Sequence, residues 1–140
     1  MNMAVLIDTS FLLAAFYERD VNHARALAVQ RQLTKEDRII PVPVLQETFF
    51  MVNVRVNYMR AISAFESLQQ SLAQNIEITP DDLQRMSKIM RQYRDAKFDF
   101  TDCAIMALTE RLNIKQVYTF DRRDFALFVP RHCDHLELLP

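Results

Sequence analysis

A chain of 140 residues, half of them hydrophobic, is long enough to bury one core as a single domain over 1–140 without disulfide or metal staples. Its formal net charge of −1 argues against a strong sequence-independent grip on nucleic acid over the whole surface, because that affinity comes chiefly from neutralising phosphates. Glycine is absent altogether, which excludes the phosphate-binding loop, the dinucleotide fingerprint and the nucleophile elbow, all of which need glycine where backbone and ligand meet.

The apolar run Ala4-Val5-Leu6-Ile7 predicts a strand over 4–7. Helices follow over about 10–18 and 20–34, with Asp20 placed to cap the second. A strand over 38–42 leads into helices at 43–57 and 58–73, then a short strand at 76–78. Thr79-Pro80-Asp81-Asp82 supplies a capping hydroxyl, a proline at the first helical position and two acids in the first turn, and so opens a helix over 80–94. A further helix at 100–112 ends at Asn113, in the left-handed position that glycine usually takes. Strands at 115–120 and 136–139 close the chain. Short strands alternating with one or two helices give an α/β pattern, and right-handed crossovers build a parallel sheet covered on both faces. No stretch approaches the roughly 20 apolar residues of a membrane span, and the N-terminal run lacks a basic flank and a cleavage site. The sequence therefore predicts a soluble, cytoplasmic protein without a membrane partner.

Four acids stand where a purely structural role is hard to assign. Asp8 follows the first strand and Asp121 follows Val117-Tyr118-Thr119-Phe120, so in a parallel sheet both lie at the carboxyl edge, where open α/β sheets place their sites. Thr9 and Ser10 can serve as helix caps in place of Asp8, and Thr119 shares the side of Asp121 if the strand continues. Glu47 shares a helical face with Val44, Phe50, Met51, Val54 and Tyr58, which places a carboxylate on an apolar stripe, a costly position unless it is paired or coordinated. Asp99 and Asp102 are three apart at a helix start, where acid capping accounts for either alone; Asp102 is the stronger candidate ligand and Asp99 a cap or auxiliary one. Gathered carboxylates repel one another unless some shift their pKa or a divalent cation compensates. A hard metal held by carboxylates, with open positions for water and phosphate oxygens, is a phosphodiester-cleaving arrangement.

The remaining chemistry-bearing residues read more plainly. Cys103 on a mostly apolar helix reads as a small buried hydrophobe, and Cys133 fits no ligand spacing. His132-Cys133-Asp134-His135 likewise matches no common zinc pattern, and His23 reads as part of a polar helix face. Arginine outnumbers lysine by 13 to 4, a bias that suits bidentate phosphate or carboxylate contacts, and Arg122 and Arg123 beside the acid edge are candidates to meet a phosphate backbone. On the 43–57 helix a second apolar stripe, Leu45, Phe49, Val52 and Val56, must be buried by a neighbouring helix or by a second copy of the chain.

Leu6-Ile7-Asp8-Thr9-Ser10, Val44-Leu45-Gln46-Glu47, Asp99-Phe100-Thr101-Asp102-Cys103-Ala104-Ile105 and Thr119-Phe120-Asp121-Arg122-Arg123-Asp124-Phe125, in that order, resemble a PIN domain. More narrowly the chain is similar to the VapC-like ribonuclease toxins of type II toxin–antitoxin systems. The resemblance implies a three-layer α/β/α fold with a short central parallel sheet. It implies a Mg²⁺- or Mn²⁺-dependent endoribonuclease with Asp8, Glu47, Asp102 and Asp121 as its acidic quartet, Ser10 and Thr119 in support, and Asp99 in a less secure role. It also implies an RNA substrate, a cognate antitoxin partner and a homodimer. The alternative is a non-catalytic interaction module of the same fold. A phosphoaspartyl phosphatase would want an Asp where Ser10 stands, and a receiver domain would want an acidic pair before the first strand's Asp; neither is present.

Overall fold

The computed structural model describes residues 4–33, 37–71 and 73–140. Its elements are β1 (Val5–Ile7), α1 (Thr9–Phe16), α2 (His23–Gln32), β2 (Arg38–Pro41), α3 (Val42–Arg55), α4 (Tyr58–Gln70), β3 (Gln74–Ile76), α5 (Pro80–Gln92), α6 (Phe100–Arg111), β4 (Gln116–Tyr118), α7 (Arg123–Leu127) and β5 (Glu137–Leu139). The strands form one sheet in the order β3-β2-β1-β4-β5, with every pair parallel. This is the expected α/β/α architecture.

Topology decides where a site belongs. From central β1 the chain steps outward to β2 and β3 on one side, then crosses back to β4 and β5 on the other. Connections leave β1 and β4 in opposite directions, and the crevice at their carboxyl ends is the switch point where such sheets bind ligands. Leu6 pairs with Val117 and Ile7 with Tyr118, so Asp8 and Thr119 leave adjacent strands side by side.

Burial follows the sheet. Val5, Leu6 and Ile7 are buried on both faces, as a central parallel strand requires. Every residue of α6 from Thr101 to Thr109 is buried, so this helix is apolar or satisfied all round. A smaller cluster of Leu13, Val52, Ala61 and Ala64 joins α1, α3 and α4. Among the described residues no helix is long and apolar enough to cross a membrane.

Several local expectations change. The second helix starts at His23 behind Asn22; Asp20 instead closes a turn by accepting the Asn22 amide, and therefore does not cap it. His23 is not merely on a polar face, because its Nδ1 lies 2.7 Å from the Ala14 carbonyl and ties α2 to α1. The predicted ends of the second and fourth helices reach residues 34 and 72, which lie outside the described residues. The third strand is Gln74–Ile76 rather than 76–78, because Thr79 is already committed as the N-cap of α5. There Thr79 Oγ1 accepts the Asp82 amide and the Asp82 carboxylate accepts the Thr79 amide, forming a capping box. Asn113 takes φ 54° after α6, as read, and Lys97 takes φ 56° in the loop before it.

Candidate active site

Asp8 occupies the cap position of α1 with extended backbone, yet its carboxylate makes no capping bond to the helix. Neither Thr9 nor Ser10 caps the helix instead, since both lie inside α1. Ser10 Oγ turns back and donates to Asp8 Oδ2 at 2.8 Å, and Thr119 Oγ1 donates to the same oxygen at 2.7 Å. Each hydroxyl has one proton to give, so its lone pairs are left to accept: Ser10 takes the Phe120 amide at 3.0 Å and Thr119 the Asp121 amide at 3.0 Å. Two backbone amides thus fix two hydroxyls, and the two hydroxyls fix one carboxylate. Burial pushes Asp8 up to about 6, while the hydroxyls of Thr119 and Ser10 and the Thr9 amide oppose the rise and the Glu47 charge adds to it.

Asp102 lies in the first turn of α6, and its amide donates to Oδ1 of the N-cap Asp99 at 2.8 Å. Helix capping therefore accounts for one oxygen of Asp99. Asp102 is buried and pushed up to about 9, first by that burial and then by the charges of Asp8, Asp99, Asp124 and Asp121. A carboxyl raised by four other carboxylates marks a cluster of acids close enough to interact.

The cleft these acids share has a volume of about 280 Å³, and Asp8, Glu47, Asp99, Asp102 and Asp121 all line it together with Ser10. Thr119 is fully buried behind it and acts only through Asp8 and the turn to Asp121. Arg122 and Arg123 are exposed and line no part of this cleft; the Arg122 guanidinium instead donates to the Pro140 carbonyl.

Glu47 reaches the cleft by a different route from the one its periodicity suggests. Phe50, Val54 and Tyr58, which share its face of the wheel, are 55%, 65% and 59% exposed, so of that stripe only Val44 is buried, with Met51 half-buried. The buried seam of α3 is Val44, Thr48 and Val52, at four-residue spacing, and Glu47 is half-buried beside it. Which side of a two-sided helix faces inward depends on tertiary packing, which the wheel does not contain.

Three lining or neighbouring residues went unassigned in the sequence. Arg55 stands on the cleft wall with Met51, and the spacing Glu47, Met51, Arg55 places all three on one helical face, a signal that was available. Asp124, at the start of α7, adds its charge to the field on Asp102. Thr9 lines the cleft, and its buried hydroxyl has no hydrogen-bond partner. The α7 turn itself, five residues long, is too short to show a period.

The donor set fits a hard divalent cation: carboxylate and hydroxyl oxygens, a surplus of negative charge and an orphaned Thr9 hydroxyl suited to water. Among the described residues no three His, Cys, Asp or Glu side chains stand close enough together to form a ligand cage. Cys103 takes no part; it is fully buried and its thiol is pushed up to about 12, chiefly by burial. His132 Nε2 lies 2.7 Å from the Ile114 carbonyl oxygen, which ties that ring to the chain just before β4.

Known proteins resemble this chain in sequence and in fold. Ribonuclease VapC26 of Mycobacterium tuberculosis (strain ATCC 25618 / H37Rv) is 26% identical over 128 residues, covering 90% of this chain and 93% of that protein. The crystal structure of VapC20 of Mycobacterium tuberculosis, a sarcin-ricin loop cleaving toxin, superposes with a TM-score of 0.79 at 20% identity over 85% of this chain and 91% of that one. A toxin–antitoxin complex from Klebsiella pneumoniae contains a chain that superposes with a TM-score of 0.65 at 19% identity, covering 89% and 92% of the two chains. The PIN domain family matches residues 5–128, from the first strand through the α7 turn, and the chain belongs to that family.

Proposed function

We propose that this protein is a Mg²⁺- or Mn²⁺-dependent endoribonuclease and the toxin of a type II toxin–antitoxin pair. The observation that carries the reading is the gathering of five carboxylates from four separate parts of the chain on one cleft at the sheet's switch point, with Asp8 and Asp102 both held above the usual carboxylate range. Asp8, Glu47, Asp102 and Asp121 would hold the metal, with Asp99 at the edge of the set. A bound divalent ion supplies a water of lowered pKa and offsets charge on the phosphate.

The protein's own residues do the rest. Ser10 and Thr119 keep Asp8 in one orientation, so that a rigid carboxylate rather than a mobile one faces the cleft. Asp102 holds a proton at neutral pH while the acids are uncompensated, and must release it to act as a ligand. In this reading the carboxylates hold the metal and Ser10 is committed to orienting Asp8, so attack by water, leaving a 5′-phosphate and a 3′-hydroxyl, is the chemistry this cleft suits. An antitoxin partner follows from the likeness to the Klebsiella pneumoniae complex. A homodimer is supported by the open apolar surface of Val42, Leu45, Phe49, Phe50 and Phe65 on α3 and α4.

The test is cleavage of single-stranded RNA by purified protein with Mg²⁺ or Mn²⁺, alongside thermal unfolding of Asp8→Asn and Asp121→Asn. Both variants should lose cleavage and stay folded, because removing a like charge relieves repulsion. Variants that cleave as well as the wild type would place the chemistry elsewhere.

A further inference from the structure

We infer that the groove running from the acid cleft past the end of α1, lined by Arg55, Arg19 and Arg60, is the track along which the backbone of single-stranded RNA leaves the site. The inference rests on the ribonuclease reading above and adds the path of the strand.

Arg55 lines both the acid cleft and a second concavity of about 360 Å³, so the two adjoin at this residue. The second concavity also carries Arg19, Arg60 and Tyr17, with Glu18 as its one acid. All three arginines are exposed, and neither ion pair among the described residues, Arg85–Glu110 or Arg111–Asp82, uses them. Local structure puts them together. Asn57 caps α4 by accepting the Arg60 amide at 2.8 Å, and the tight α3–α4 turn so formed carries Arg55 and Arg60 to the place where α1 ends at Tyr17.

The charge balance makes this grouping informative. A chain of net charge −1 has no general attraction for RNA, and its acid cleft repels phosphate until a cation is bound. A substrate must therefore be held by cations beside the cleft. Three guanidiniums in a groove that adjoins it at Arg55 meet that need, and the half-buried Tyr17 ring supplies a surface on which an unpaired base can stack.

The experiment measures anisotropy of a fluorescent mixed-sequence RNA 12-mer against salt, in an Asp8→Asn background that does not cleave. Arg19→Ala with Arg60→Ala should weaken binding about tenfold and lower the slope of log K on log salt by roughly 1.4, two single-strand phosphate contacts. Arg91→Ala with Arg94→Ala removes the same charge elsewhere and should leave the slope near the parent value. The pair Arg19→Lys and Arg60→Lys should keep most of the slope, which a merely structural role would not produce. In the cleaving protein the alanine pair should raise KM with kcat largely kept. An unchanged slope, or one that falls equally in the Arg91 and Arg94 control, overturns the track. So does a groove variant that binds RNA normally but escapes inhibition by its co-expressed partner, which would make the groove a protein-docking surface. Because binding is read without cleavage, wild-type protein that binds but never cuts RNA would refute the ribonuclease reading and not the track.

Discussion

The Thr119 hydroxyl donates to Asp8 Oδ2 at 2.7 Å across 111 positions of sequence, joining the ends of β4 and β1 where the strand order reverses. Thr119 is fully buried and does not reach the cleft, so any effect on chemistry passes through Asp8 and the Asp121 turn. Thr119→Val keeps the shape and deletes the hydroxyl. It should lower RNA cleavage about 10–100-fold, the range for removing a partner that orients a metal ligand, and Thr119→Ser should restore most of it. Equal rates for the valine variant and the wild type would show that Ser10 alone orients Asp8.

Acids raised by burial and mutual repulsion make the metal-free protein sensitive to rising pH. A carboxyl whose folded pKa exceeds its unfolded value near 3.8 contributes stability that is full below about 4 and is lost as pH rises through the folded value. For Asp8 that window closes near 6, and for Asp102 near 9. In EDTA the unfolding temperature should therefore fall steadily from about pH 5 to about pH 9. Asp102→Asn should flatten the fall and raise the alkaline unfolding temperature. A wild-type profile that is flat over this range would mean that the acids are too well solvated to repel one another.

What the sequence disclosed was mostly local. The Thr79-Pro80-Asp81-Asp82 box and the left-handed Asn113 were legible because each depends on a few consecutive residues, and in a chain without glycine Asn is the natural occupant of the second position. Asp8 and Asp121 were legible as strand-end acids because short apolar runs locate the sheet edge even when their limits drift. The burial of α3 was not, since that helix is apolar on two sides and the α1–α4 cluster decided which seam was covered. Lys97 at φ 56° had no local signal at all. The web linking Ser10, Thr119 and Asp8 required knowing that β1 and β4 are neighbours, which only the topology supplies.

The start of α5 is clamped to the end of α6 by Asp82 and Arg111. Burial favours the neutral form of Asp82, but hydrogen bonds from Arg111 and Thr79 and the Arg111 charge win, and the carboxyl is held below its ordinary value. Arg111 Nε lies 3.0 Å from both carboxylate oxygens, and its Nη2 donates to the Glu77 carbonyl at 3.1 Å. The guanidinium is partly solvated, so the cost of losing it lies between the exposed and fully buried cases. Arg111→Ala should destabilise by about 1–3 kcal/mol in urea unfolding, and by progressively less as pH falls below about 4 towards the lowered value at which folded Asp82 takes up a proton. A loss that does not shrink in acid would point to the arginine stem rather than its charge.

The final prediction concerns the surface of α3 and α4. The stripe of Leu45, Phe49, Val52 and Val56 is shared between two environments. Val52 is buried with Ala61 and Ala64, and Phe49 makes edge contacts with Tyr58 and Phe65. Phe49 therefore belongs partly to the monomer, whereas Phe50 is 55% exposed on the open apolar surface beside it. A contiguous apolar surface of this kind marks an interaction site, and a two-fold interface would use it twice. Phe50→Glu should convert a dimer to a folded monomer by light scattering with little change in unfolding temperature. Phe49→Glu should cost stability as well. A Phe50→Glu protein that keeps the mass of the wild-type assembly would move the interface off this face, and a wild type already monomeric at micromolar concentration would remove the dimer altogether.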